Sequence, residues 1–181
     1  MNALPIQSGD RALVAISGDT AFVKVEGRGS FKISSSLKQF GEDAIEQGVH
    51  VLHMDMLGCI GMDSTFMGVI AGLSTRMKRA GRGPVIMMNL SPRTRGLLAT
   101  LGLDQVVEAR EASASAEGGA TGPGVAMKPL EAMAGSQTEA TRTILDAHEN
   151  LVALHPDNAP RFKDVLTYLR EDLNRKESDR S

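Results

Sequence analysis

Two apolar runs of strand length, Val49 to Met56 (VHVLHMDM) and Pro84 to Leu90 (PVIMMNL), bracket a single stretch of helical spacing. This unit constrains the fold more than any other feature. Between the runs, Phe66, Met67, Ile70, Leu73 and Met77 recur at the three- and four-residue intervals of an amphipathic helix, which Gly81 and Gly83 close. A continuous apolar run is the pattern of a strand covered on both faces. Strand, helix and strand in that order predict an α/β sheet with right-handed crossovers where its strands run parallel.

The pattern extends in both directions. Ala12 to Ile16 and Ala21 to Val25 flank a Gly18-Asp19 turn signal and predict a hairpin. Glu26 to Ser30 reads as a loop with two glycines, and a helix follows from Ser34 to Gln47, with Leu37, Phe40, Ala44 and Ile45 on one face and Gly48 as C-cap. Gly58 to Gly61 reads as a turn. Ser91-Pro92 is an N-cap followed by a first-turn proline, opening a short helix that ends near Gly102, and Asp104 to Ala109 supplies a last strand. The order β-β-α-β-α-β-α-β gives a mixed β-sheet packed with α-helices over residues 1–111.

Composition changes after Glu111. The stretch ASASAEGGATGPG is small and nearly uncharged, so residues 112–135 read as a flexible linker. Residues 136–181 read as a two-helix C-terminal extension. Ser136 and Glu139 form a capping box, and Ile144, Ala147, His148 and Leu151 share one face. His155 to Asn158 breaks the pattern. Phe162, Val165, Leu166, Leu169 and Leu173 then mark a second amphipathic helix. Two helices cannot bury both stripes alone, so the extension is expected to dock on the main domain, on a second copy or on a partner.

A length of 181 residues allows one good core plus such an extension. The net charge of −2 comes with scattered Lys and Arg, so nothing resembles a nucleic-acid stripe. The basic cluster from Arg76 to Arg82 falls where a helix ends and complements its dipole. Cys59 is the lone cysteine and reads as a small buried filler in a reducing compartment. No basic and apolar leader opens the chain, and no apolar run approaches the ~20 residues of a membrane span. A soluble cytoplasmic protein without membrane insertion is expected.

The chemistry concentrates in MDSTFMGVIAGL, residues 62 to 73, where Asp63, Ser64 and Thr65 open the central helix. Helix-terminal amides and the positive dipole end would hold a phosphate on Ser64, and the added charge would change any surface docked there. The segment from Val49 to Glu108 resembles the STAS domain of bacterial anti-sigma factor antagonists. The resemblance runs from about Ala12 to Arg110. It rests on the apolar strand, the Met-Asp-Ser-x-x-x-Gly turn, the helix with its glycine stop, the second apolar strand and the Ser-Pro helix ending in Leu-Gly-Leu. Upstream, VEGRGSFKISSSLKQF resembles the family's second strand, loop and first helix.

The resemblance implies that Ser64 is a regulatory phosphosite, with Thr65 as the alternative. It implies a partner switch: the unmodified protein binds an anti-sigma factor that is also a serine kinase of the histidine-kinase-like ATPase type, and a metal-dependent serine phosphatase resets the modified form. The implied docking surface comprises Gly27, Arg28, Gly29 and Ser30 with Asp63, Thr65, Phe66, Met67 and Gly68. Two positions depart from the family pattern. Phe66-Met67-Gly68 stands where Gly-Leu-Gly is common, which adds a bulky side chain expected to alter kinase fit or enlarge an apolar docking patch. Ser30 stands where many members carry an aspartate.

Other readings compete. The domain of a scaffold STAS protein, in a signalling or envelope-lipid transport assembly, would leave Ser64 unmodified. A hydrolase would use Ser64 as nucleophile, His53 as base and Asp63 or Asp55 to orient it, yet the chain lacks a Gly-x-Ser-x-Gly elbow. His50 and His53 have no partner at metal-ligand spacing, and Gly27-x-Gly29 lacks the remainder of a phosphate loop. A non-enzymatic protein without metal or cofactor is expected, with self-association through the C-terminal helices as a further use of the extension.

Overall fold

The computed structural model describes residues 9–111, 125–131, 133 and 135–179. An antiparallel hairpin opens it: β1 (Arg11–Ser17) and β2 (Thr20–Gly29) pair in continuous register from Arg11 opposite Glu26 to Ser17 opposite Thr20. Gly18 supplies the positive φ of the turn. There follow α1 (Phe31–Glu46), β3 (Val51–Met62), α2 (Ser64–Arg79), β4 (Val85–Met88), α3 (Pro92–Thr100), β5 (Val107–Arg110), β6 (Lys128–Pro129), α4 (Gln137–Leu154) and α5 (Asn158–Ser178). The sheet order is β5-β4-β3-β2-β1-β6. Strands β2 to β5 run parallel, while β1 and β6 are antiparallel to their neighbours.

The crossover helix α2 buries Phe66, Ile70, Leu73 and Met77, while α1 buries Ile33, Leu37 and Ala44. These join Val14, Val23, Val25, Leu52, Met54, Val85 and Met87 in one core. Gly41 lets α1 approach α2 closely, since a methyl group there would meet the Leu73 side chain at 2.5 Å. The helix ends follow local rules. Gly48 (φ 96) closes α1 with Val49 N–H donating to the Ala44 carbonyl, and Ser91 caps α3 through the Thr94 amide with Pro92 in the first turn.

Several expectations from the sequence need correction, among them the last strand, since Leu103–Gln105 is a single helical turn and β5 starts only at Val107. Residues Gly27 to Gly29 are not a loop: β2 continues through them beside β3, with register breaks between Lys24 and Glu26 and between Gly27 and Arg28. Gly58 to Gly61 is not a turn, because β3 carries the same ladder on to Met62 opposite Gly29. Glycines that suggested turns mark bulges instead. Helix α1 starts at Phe31, three residues earlier than its apolar pattern suggested, because the Phe31 amide is satisfied by Asp63 from thirty-two residues downstream.

The extension forms a second helical layer. Its first helix, α4, packs on α2 and the edge of α1, and α5 packs on α4. The expected capping box is present, with Ser136 accepting from the Glu139 amide and Glu139 from the Ser136 amide. Phe162, Leu166, Leu169 and Leu173 are buried as the stripe predicted, while Val165 faces solvent. Of the stretch read as a linker, residues 112–124, 132 and 134 lie outside the described residues. Its described part includes β6, and Leu130 N–H donates to the Ala12 carbonyl.

Candidate functional site

Asp63 organises the point where β3 meets α2. Its backbone is extended, and one carboxylate oxygen accepts from the Phe66 amide at 2.9 Å, the N-cap bond of α2. The other oxygen accepts from the Phe31 amide at 2.7 Å, so one side chain caps two helices. Its own amide donates to the Gly29 carbonyl at 2.9 Å, closing the β2–β3 ladder. We expect Asp63→Ala to lower the unfolding free energy by about 2 kcal/mol, from a lost cap and a lost charged hydrogen bond. A urea melt checks this, and an unchanged midpoint would mean that the double cap contributes nothing.

Ser64 follows as the first residue of α2, half-buried. Its Oγ lies 3.0 Å from Nε2 of His148 on α4. His148 Nδ1 is 2.7 Å from the Ile144 carbonyl, which can only accept. In the neutral ring Nδ1 therefore carries the hydrogen, and Nε2 accepts from the Ser64 hydroxyl. His148 is buried, and its ring meets Phe162 of α5 edge-on at 4.9 Å. No local signal pointed from Ser64 to His148, which lies 84 residues away and shows in the sequence only as one member of a helical face.

The neighbours of Ser64 point inward. Thr65 and Met67 are buried, and Phe66 has no solvent exposure. Phe66 therefore does not enlarge an exposed docking patch. Its ring lies over Gly29, where a Cβ would approach it to 2.6 Å, so the missing side chain on β2 makes room for the extra bulk on α2. Gly68 is covered by α4: any side chain there would run into the Ala147 carbonyl.

The exposed part of the site is its rim. Arg28 is open to solvent and Gly27 half-buried, whereas Gly29 and Ser30 are buried. Ser30 Oγ donates to Asp10 at 2.9 Å, and the Arg28 amide donates to the same carboxylate at 3.1 Å. Burial of Asp10 opposes its ionisation, but these two hydrogen bonds and the charges of Lys32 and Arg28 outweigh it and hold its pKa below the ordinary value. A carboxylate thus stands one hydrogen bond behind Ser30, supplied by a residue that drew no attention in the sequence. Apolar side chains are exposed at the same end of the sheet: Phe31 at the start of α1, and Leu57 (73%) and Ile60 (68%) on the far part of β3. Residues 57–62 of that strand extend beyond its pairing with β4.

The triad considered for a hydrolase is not assembled. His53 is held mid-strand on β3 with its ring 5.7 Å from that of Phe22, and its pKa is lowered by burial and then by Arg110. Asp55 accepts from the Leu57 amide and from Asn89, and Asp63 is committed to two helix ends. The base expected for Ser64 is therefore elsewhere. The histidine that does meet Ser64 gives its second nitrogen to a backbone carbonyl, not to an acid. Cys59 is a buried filler beside the Gly61 carbonyl. Among the described residues no cluster of His, Cys, Asp or Glu is arranged to hold a metal, and no helix is long and apolar enough to cross a membrane.

Comparison with known proteins bears on the region containing Ser64. A family model described as the STAS domain matches residues 11–116. No curated protein matches the chain in sequence. Among solved structures, the unphosphorylated form of the Bacillus anti-sigma factor antagonist SpoIIAA resembles this chain with a TM-score of 0.51 at 19% identity, over 57% of this chain and 89% of its own. TM1081 from Thermotoga maritima resembles it with a TM-score of 0.50 at 16% identity, over 56% and 86%. At such identities the likeness establishes the fold alone. Helices α4 and α5 lie outside the family match.

Proposed function

The chain belongs to the STAS-domain family, and from that premise we propose that it is an anti-sigma factor antagonist-like regulatory protein switched by phosphorylation of Ser64. The observation that carries this reading is a hydroxyl in the first turn of α2, directly after a double-capping aspartate. A phosphate there meets unsatisfied helix amides and the positive end of the dipole, while Asp63 opposes it at close range. The modification thus adds about two negative charges where Asp63 and the Gly27 to Ser30 rim come together.

In this reading the cytoplasmic partner is an anti-sigma factor and serine kinase of the histidine-kinase-like ATPase type, and a metal-dependent serine phosphatase removes the phosphate. Docking uses the Arg28 rim with the exposed apolar side chains of Phe31, Leu57 and Ile60. Aromatic and aliphatic anchors beside an arginine suit a compact interface whose affinity a nearby charge can abolish. Thr65 is the weaker candidate for modification because its side chain is buried.

One observation favours a second reading. The Ser64 hydroxyl is already engaged by His148, as suits a scaffold domain in which the serine is structural and never modified. Capture with immobilised wild type, Ser64→Ala and Ser64→Asp separates the two. The switch predicts a kinase-type ATPase retained by wild type and Ser64→Ala and lost by Ser64→Asp. Equal capture by all three would sink the switch and favour the scaffold.

A further inference from the structure

The same face of α2 that begins with Ser64 continues at four-residue intervals through Gly68 and Gly72, and α4 lies directly on it. The fit is backbone-close. A side chain at Gly68 would strike the Ala147 carbonyl, and one at Gly72 would strike the Asn150 amide, which itself donates to the Gly68 carbonyl at 3.3 Å. Ser64 Oγ and His148 Nε2 meet at the end of this seam. Helix α4 therefore covers the start of α2 and the proposed switch residue, next to the exposed rim proposed to dock a partner.

The contacts that hold α4 down are of two kinds. Those to α5 are numerous and specific: the His148–Phe162 ring pair, Arg170 to Glu149 at 2.9 Å, Arg142 to Glu177, Lys176 to Thr141 at 3.3 Å, and the Leu166, Leu169 and Leu173 stripe. Those to the sheet domain are as extensive but mostly apolar and backbone-close: Ala147 and Leu151 of α4, with Phe162 and Leu166 of α5, are buried in the same core as Phe66 and Ile70. Beyond the glycine seam they include one half-exposed ion pair, Lys38 to Asp146 at 2.6 Å, of a kind that contributes ~0–1 kcal/mol. Asn158 and Arg161 add hydrogen bonds to the Leu101 and Thr100 carbonyls at the end of α3. The side of α4 that faces α1 is incompletely filled along its length. A groove of about 460 Å³ lies between α1, α2 and α4, lined by Lys38, Glu42, Arg76, Asp146 and Asn150. A second of about 420 Å³ lies between α1 and the start of α4, beside Ser36, Met133 and Arg142. Helices α4 and α5 hold each other by a continuous apolar stripe. They meet the domain through the glycine seam and the buried residues Ala147 and Leu151, with open grooves along the α1-facing side of α4.

We infer that the α4–α5 hairpin is a detachable cover: it undocks from α2 as one unit while the sheet domain stays folded, and undocking exposes Ser64 and the Gly68–Gly72 groove to a partner. The inference rests on the reading of Ser64 as the switch residue. In the docked state the hydroxyl is held by His148 and the groove is filled in cis. A kinase that must reach Ser64 competes with α4 for this face, so its apparent affinity for the hydroxyl falls in proportion to the undocked fraction.

Two measurements on the full chain test this without any partner, so the cover can fail while the three-variant capture succeeds, and the reverse. In native-state hydrogen exchange, the amides of α4 and α5 are expected to share one opening, about tenfold or more faster than that of Leu52 to Met54 in β3. The thiol introduced by Ser64→Cys, in a Cys59→Ala background, is expected to react with a bulky maleimide about tenfold or more slowly than in the denatured chain. Leu151→Asp, which places a charge in the buried seam, restores fast labelling. His148→Ala serves as a second, milder opening variant should Leu151→Asp not fold, and its thiol is expected to label faster than that of the unopened chain. Exchange of α4 only in step with β3 would make the hairpin part of one cooperative core and overturn the cover. So would labelling at the denatured rate in the unopened chain, or labelling that no α4 variant accelerates.

Discussion

Phe66→Ala is expected to destabilise the protein by about 3–5 kcal/mol, the range for removing a fully buried aromatic side chain. The ring has no solvent exposure and rests against the β2 backbone at Gly29, within the first turn of the helix that carries Ser64. Neither side can collapse into the void, because β2 is tied to β3 on one edge and to β1 on the other. Chemical denaturation reads the loss directly. The reciprocal change is informative: Gly29→Ala should also destabilise, since its methyl would meet the ring at 2.6 Å, while Gly29→Ala with Phe66→Leu should cost less than the two single changes summed. A loss below ~1 kcal/mol for Phe66→Ala, well under that range, would mean that the ring is not a packed core element.

Gly68→Leu should separate the extension from the domain. Its side chain points into the Ala147 backbone, which has no rotamer with which to move aside. Overpacking of this kind typically costs ~1–3 kcal/mol, whereas leucine favours the helix itself by ~1 kcal/mol over glycine. The expected result is a folded sheet domain with unprotected α4 and α5 amides and an increased hydrodynamic radius. Hydrogen exchange and size-exclusion chromatography check this together. Retention of full α4 protection would show that the helices can part slightly and that the seam does not depend on glycine.

Much of this architecture was readable from local pattern. The hairpin, the amphipathic helix α2, the Ser-Pro start of α3 and the Ser136–Glu139 capping box all arise from interactions within a few residues, and each formed. The features that sequence reasoning misplaced depend on distant partners. Helix α1 starts early because Asp63 caps it, and Gly58 to Gly61 stays in a strand because β2 runs alongside. Phe66 is a case of two signals in conflict. Its place in the Phe66, Ile70, Leu73, Met77 stripe indicated the core, while its departure from the family pattern suggested an exposed patch. The periodicity was the better guide, because the compensating space lies at Gly29, 37 residues earlier in the sequence.

At the site, Ser64 and its cap could be found from sequence because both lie in one helical turn. The partners that shape its surroundings could not. His148, Asp10 and Ala147 come from other elements, and none has a spacing relative to Ser64 that signals contact. The packing of α4 on α2 also changes the meaning of the extension. Its two stripes find their cover in each other and in the core of the sheet domain, joined through Ala147, Leu151, Phe162 and Leu166, with α4 lying on the helix that carries the proposed switch.

The most direct test of the central claim is a binding titration of the captured kinase-type ATPase against the full chain before and after phosphorylation, with the modified residue mapped by mass spectrometry. The expected result is a single phosphoryl group on Ser64, affinity weakened about tenfold or more, as a coupling of ~1.4 kcal/mol or more requires, and recovery after phosphatase treatment. Modification elsewhere, or equal affinity of the two forms, would contradict it.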